Sequence, residues 1–325
     1  MQRRTLLSAL AAAGASTAAP WASAQADYPN QLIRWVLPYP AGGGTDVLAR
    51  TVAEAMRQTL GQQIVVDNRP GASTNIGGQA VATAKADGYT IMSADNAILA
   101  YNEHLFSKLP FSPQNDFTYV GGISRFPLAL VVHPSFEAKT MKEFLAYVRA
   151  NPGKVNYASP GNGSPHHLAM EMFKNRTKTF LTHIPYRGAA PAMADVMGGQ
   201  VPCMFLDLAS GLSVIQSGKV RALAIGSAKR IATLPDVPTL GEVGVADTEV
   251  FAFQGILGPK GLPANVTQRL NADLNKALAS PAVVKRMQDF GMEALPGTPE
   301  QFRALARAEA KRWGEVIKAA GVKLD

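Results

Sequence analysis

Two loops concentrate the residue types that can bind a small molecule. The first reads Tyr39-Pro40-Ala41-Gly42-Gly43-Gly44-Thr45-Asp46. Three consecutive glycines let backbone N–H groups come close to a ligand, and a helix opening there adds partial positive charge, so the corner suits an anion. The helix dipole alone supplies about 0.3 to 1 kcal/mol, or ~2 kcal/mol when partly buried, so direct hydrogen bonds must supplement it. No Gly-Lys-Ser/Thr follows, which excludes a phosphate P-loop, and the glycine spacing is wrong for a dinucleotide fingerprint. A tight turn needed only for packing is the competing reading.

The second loop is Ser159-Pro160-Gly161-Asn162-Gly163-Ser164-Pro165-His166-His167. Ser164 has the chemistry of an N-cap, with Pro165 at the first helical position, so this loop also opens a helix. Neighbouring helical residues point about 100° apart, so His166 and His167 do not chelate one ion; one of them is expected to face the loop and hydrogen-bond it. No Gly-x-Ser-x-Gly elbow occurs, and neither histidine has a matching nucleophile. In both loops a valine, at Gly43 or Gly163, is expected to block an anion while leaving the fold intact.

The rest of the composition narrows the classes. At 325 residues, 47% hydrophobic and 17% charged, the chain is too long for one ordinary core and too apolar for disorder, so two domains are expected. A single cysteine, Cys203, excludes a disulfide framework or a multi-cysteine metal site, and its apolar setting marks it as a buried thiol. The formal charge of +8 falls to about +6 without Arg3 and Arg4, and no basic run carries interleaved aromatics, so nucleic-acid binding is not supported.

The elements that must position the loops follow from periodicity. Leu32 to Leu37 is an apolar strand, and Val47, Leu48, Val52, Ala55, Met56 and Leu60 fall at helical spacing before Gly61. Strand, loop and helix recur: Ile64–Val66, a helix at 75–84 and Thr90–Ser93; then Leu128–Val132, a helix at Met141–Ala150, Val155–Ala158 and a helix at 165–174. Thr182–Tyr186, a helix at 190–197, Cys203–Leu206 and Arg221–Gly226 continue the alternation. This is an α/β pattern with one unit used twice. The last third is helical at 263–279, 281–290 and 299–320, with Thr298 and Gln301 as a capping box and Trp313 on the core face. Phe251-Ala252-Phe253-Gln254 begins a returning strand, so the chain crosses between domains near Arg125 and near Val250.

Residues 1–26 carry a charged start, an apolar stretch from Leu6 to Ala13 and small residues ending at Ala24-Gln25-Ala26, the pattern of a signal peptide cleaved near Ala26. Arg3-Arg4 followed by Thr5-Leu6-Leu7 resembles a twin-arginine signal, and a general secretory signal fits as well.

At the two loops the chain resembles the substrate-binding receptors of tripartite tricarboxylate transporters, the Bug family of periplasmic solute-binding proteins. The resemblance covers essentially all of the mature chain, through PYPAGGGTD (38–46), DNRPGASTNIGG (67–78), ADGYTIM (86–92), SPGNGSPHHLAMEMF (159–173), HIPYRGAAPAMADVMGGQV (183–201), GKVRALAIGSAKRIATLPDVPTLGEVG (218–244) and PGTPEQF with Trp313. It implies a type II periplasmic-binding fold, two α/β domains with a two-strand hinge and a ligand cleft between them. Residues 27–125 and 250–325 would form the first domain, and 126–249 the second. It further implies a periplasmic, monomeric receptor, not an enzyme, without cofactor or metal. Such a receptor takes a small organic acid and delivers it to the membrane permease subunits of a tripartite tricarboxylate-type transporter. An exported hydrolase or transferase, or a component presenting ligand to a sensor, are the alternatives.

In that resemblance the ligand carboxylate is held by Ala41 to Asp46 and Ser159 to Ser164, largely through backbone amides and bridging waters. The expected ligand set is Tyr39, Ala41, Gly42, Gly43, Gly44, Thr45, Asp46, Asn96, Ser159, Gly161, Asn162, Gly163, Ser164, His167, Arg187 and Asp207. Arg187 would meet a second carboxylate and Asp95 a cationic group at the far end. The chain departs from the family pattern at Ser73-Thr74, where Gly-Gly is usual, at Pro202 in place of an acidic residue, and around Phe253-Gln254 in place of a tryptophan.

Overall fold

The computed structural model describes residues 28–325; the leader, its Arg3-Arg4 pair and the cleavage point lie outside the described residues. In the first half the apolar run forms β1 (Ile33–Leu37), followed by α1 (Gly44–Leu60), β2 (Ile64–Asn68), a 3₁₀ turn at Ala72–Thr74, α2 (Asn75–Ala82) and β3 (Thr90–Asp95). A π-helical segment at Ala97–Tyr101 and the short α3 (Asn102–Leu105) lead to β4 (Phe117–Val132). The second half comprises α4 (Met141–Ala150), β5 (Asn156–Ser159), α5 (Pro165–Thr177), β6 (Thr182–Pro185), α6 (Ala189–Met197), β7 (Cys203–Asp207), α7 (Leu208–Gln216) and β8 (Arg221–Ile225). β9 (Phe251–Pro259) returns to the first half, with α8 (Ala264–Leu278), α9 (Pro281–Asp289), β10 (Glu293–Ala294) and α10 (Pro299–Ala320) after it.

The strand order is β2-β1-β3-β9-β4 in one half and β6-β5-β7-β4-β8 in the other. Each half is a parallel α/β sheet interrupted by one antiparallel strand that arrives from the other half, β9 in the first and β4 in the second. The unit used twice is thus the same topology with its crossing strands exchanged, which is the two-domain type II arrangement. The crossings join at Leu128, whose N–H donates to Val250 O and whose carbonyl accepts from Gly226 N–H, both within 2.9 Å.

β4 is the largest departure from the sequence reading, which gives only Leu128–Val132. The longer strand takes in Gly121, Gly122 and Pro127. Here the glycines permit close approach: a Cβ at Gly121 would lie 2.8 Å from Asn271, and one at Gly122 2.7 Å from Leu295. Pro127 sits where β4 trades β9 for β7 as its partner. α7 also goes unread because no loop precedes it; Asp207 ends β7 and caps the helix at once.

Helix ends match where side chains cap them. The Thr298–Gln301 box with Pro299 opens α10, and Thr140–Glu143 forms a second box at α4, each such cap worth about 1 kcal/mol. Trp313 is fully buried, as its periodicity requires, and its indole N–H donates to Glu309 at 2.9 Å. Cys203 is buried, and burial pushes its thiol pKa up.

α10 packs against both halves. Phe302 and Ala306 pack with Phe253 and Tyr119 of the first half, whereas Ala310, Trp313 and Ile317 join Leu168, Phe173 and Phe205 of the second. One helix therefore braces both cores. No helix among the described residues is long and apolar enough to cross a membrane.

Candidate functional site

Both loops leave the carboxyl ends of their strands, the edge at which open α/β sheets take ligands. At the first, Gly43 is the N-cap of α1 and no side chain caps the helix, so its first-turn N–H groups are unspent among the described residues. A Cβ at Gly42, Gly43 or Gly44 would meet nothing within 4 Å, so open space lies over these amides. Gly42 requires glycine, with φ at +87°, but Gly43 has an ordinary φ of −77°. Ala41 and the three glycines are exposed and Thr45 is half-buried.

Asp46 does not face that space. Its buried carboxylate accepts the Gly42 N–H at 3.0 Å, the Arg50 guanidinium at 3.0 Å and the Asn68 amide at 2.9 Å. The Arg50 hydrogen bond first, then the Gly42 and Asn68 bonds, outweigh burial and hold its pKa down to about 2. Asp46 therefore shapes the loop. Asn68 also donates to Tyr39 O at 3.0 Å, a second tie that sequence reasoning missed. The half-buried Tyr39 hydroxyl donates to Asp95.

The second loop is more self-contained. Ser159 is fully buried; its Oγ accepts the Gly161 N–H at 3.1 Å and lies 2.6 Å from His183 Nε2. Ser164 caps α5 by accepting the His167 N–H at 3.3 Å. His167 is the member of the pair that faces the loop: its Nδ1 accepts the Gly163 N–H at 3.1 Å. Its ring stacks on His183 at 4.0 Å, and His183 stacks in turn on Tyr157 at 4.8 Å. Burial lowers both imidazoles, His183 to about 4 with His167 adding to the effect. The amides of Gly161 and Gly163 are thus spent within the loop, which Ser159, Ser164 and His167 hold. Asn162 alone is exposed there.

Gly163 also needs a different account. Its φ is +72°, and a Cβ would sit 2.9 Å from Leu105 and 3.1 Å from Leu324 of the other half. A valine there would break packing between the halves, so it cannot serve as a clean block of an anion.

Asn96 has a place in the frame. It is fully buried, with its Oδ1 accepting Phe253 N–H at 2.7 Å and its amide donating to Phe251 O at 3.3 Å, so it ties β3 to the returning strand. Asp95 is likewise engaged, by the Tyr39 hydroxyl at one carboxylate oxygen and the Ala97 N–H at 3.1 Å at the other. Arg187 is exposed and makes no ion pair among the described residues. It stands beside the second loop because Gly188 N–H donates to Pro160 O at 3.0 Å, and the N-terminus of α6 next to it has no side-chain cap. Asp207 is buried and caps α7 by accepting the Ser210 N–H at 2.8 Å. The histidine that meets Asp207, at 3.1 Å, is His166, which the sequence reading left without a role.

The arrangement is a helix start with unspent amides under open space and a second, internally braced loop, in a two-lobed fold. That is the architecture of a solute receptor. The chain belongs to the tripartite tricarboxylate transporter family of receptors, whose family model matches residues 48–322. Protein BugT of Bordetella pertussis is 37% identical over 298 residues, 91% of this chain and 91% of that protein. Among solved structures, Rpa4515 of R. palustris with adipate superimposes with a TM-score of 0.82 at 33% identity, covering 91% of this chain and 99% of that one. MatC from Rhodopseudomonas palustris with bound malate does so at 0.77 and 32%, covering 89% and 100%. The family is one of periplasmic solute receptors rather than enzymes.

Proposed function

We propose that this protein is an extracytoplasmic receptor that binds a small carboxylate-containing organic acid between its lobes. The acid is then presented to the permease subunits of a tripartite tricarboxylate-type transporter. The carrying observation is the uncapped start of α1, with unspent amides and open space over Gly42, Gly43 and Gly44. A carboxylate there satisfies donors that a helix N-terminus otherwise leaves to water. The relatives solved with adipate and malate support an acid as ligand. Arg187 and the uncapped α6 supply positive potential for a second carboxylate. The protein acts as a monomer, exported with cleavage near Ala26, and performs no chemistry on its ligand.

A thermal-shift screen against mono- and dicarboxylates tests this reading. At 100 times Kd, linkage gives about 2.7 kcal/mol of stabilisation, a readily measured rise in Tm. A screen in which no carboxylate raises Tm contradicts it.

A further inference from the structure

The start of α1 carries two opposed charges. A helix N-terminus is equivalent to roughly half a positive charge. Asp46 lies in the first turn of the same helix, buried, and brings a full negative charge to that end. Dipole and carboxylate alone would leave the corner net negative, and it would repel the carboxylate it is to receive. The open space over Gly42, Gly43 and Gly44 can therefore take an anion only if a cation cancels Asp46.

Arg50 is that cation, and two elements hold it in place. It stands one turn further along α1, where i,i+4 spacing brings it to Asp46. Its Nε lies 3.1 and 3.0 Å from the two carboxylate oxygens, and its Nη2 3.0 Å from Oδ1. Asn68, the last residue of β2, fixes the pair from the neighbouring strand. Its Oδ1 accepts from Arg50 Nη2 at 2.9 Å, while its amide donates to Asp46 at 2.9 Å and to Tyr39 O at 3.0 Å. The guanidinium is thus tied at three points although half of its side chain meets solvent. Their mutual hydrogen bond is the largest cause that keeps both groups charged, lowering the Asp46 pKa and raising that of Arg50. No other cation pairs with Asp46 among the described residues.

We propose that Arg50 is a positioning residue that sets the sign of the receptor's anion site: by cancelling the charge of Asp46, it leaves the α1 amides free to attract a carboxylate. This rests on the carboxylate-receptor reading above and names what regulates affinity at that same site. Arg50 and Asp46 then act on affinity in opposite directions, Arg50 raising it and Asp46 lowering it. A pair that merely held the loop together would act in one direction only.

Calorimetric titration of the purified protein with succinate, malate, propionate and benzoate tests it, at low salt and at about 1 M salt, where the Debye length is about 3 Å. Arg50→Gln binds the acids about tenfold more weakly at low salt, and the deficit shrinks at high salt. Asp46→Asn, which keeps an oxygen for the Gly42 N–H, binds them about threefold or more tightly at low salt. The double variant returns to within about threefold of the unaltered protein. Unchanged affinity in Arg50→Gln, a deficit of the same size at both salt concentrations, or a loss in Asp46→Asn overturns the proposal. Where Arg50→Gln does not fold, Asp46→Asn decides: a gain supports the proposal, and a loss or no change overturns it. An unaltered protein that binds none of these acids contradicts the receptor reading itself and takes this inference with it.

Discussion

Gly43 and Gly163 are both glycines of a strand-to-helix loop, yet a valine means different things at each. At Gly43 the backbone is ordinary and a Cβ enters open space, so Gly43→Val folds normally and fills the volume over the α1 amides. At Gly163 the left-handed φ of +72° costs roughly 1–2 kcal/mol for a non-glycine residue, before the contacts with Leu105 and Leu324 are counted. Gly163→Val therefore lowers Tm even without ligand, and an unchanged melting curve would contradict that packing. Sequence identifies both glycines; only coordinates separate the one that faces space from the one that faces leucine. The His166-His167 pair behaves alike: helical spacing requires the rings to diverge, but which faces the loop depends on helix phase, and that is fixed by Ser164 capping the His167 N–H. Below them, His183 gives a pH signature. Its pKa of 6.5 when unperturbed drops to about 4 in the fold, so between those values the unfolded chain takes up a proton that the folded chain refuses. Stability at this site is full above about pH 6.5 and is lost as pH falls towards 4, and His167 acts in the same direction. His183→Phe, which keeps the aromatic stack, should show a smaller fall in Tm across that window; an equal fall would remove His183 from the account.

At the scale of elements, the turn before α2 carries strain. Ala72, Ser73 and Thr74 have φ of 46°, 50° and 76°, three left-handed non-glycine residues in succession. Asparagine tolerates this region better than serine, and Ser73 is exposed, so Ser73→Asn should stabilise the protein by about 0.5–1 kcal/mol in denaturant unfolding. A neutral or destabilising effect would mean the turn is held by something other than local preference. Elements with side-chain punctuation were legible from sequence: α4 and α10 begin and end where their caps stand. Those without it were not. The first part of β4 hides behind glycines that serve close packing, and α7 hides behind the absence of a loop. The site shows the same division. The glycine loop that opens α1 was readable because its glycines are contiguous, whereas Asn68, His166 and His183 act through contacts between residues distant in sequence.

For the whole molecule, the two halves share β4, β9 and α10, and the last braces both cores at once. Ligand held by both lobes should bring them together, and small-angle scattering on saturation should show a smaller radius of gyration. An unchanged radius with proven binding would mean that α10 and the shared strands fix the lobes in place. The central claim is that the open start of α1 receives a carboxylate, and calorimetric titration of the unaltered protein and Gly43→Val with the acid found by the screen tests it most directly. The account predicts saturable binding by the first and at least a tenfold weaker Kd, about 1.4 kcal/mol, in a variant whose circular dichroism is unchanged. Equal affinity in a normally folded Gly43→Val would place the carboxylate elsewhere and contradict it.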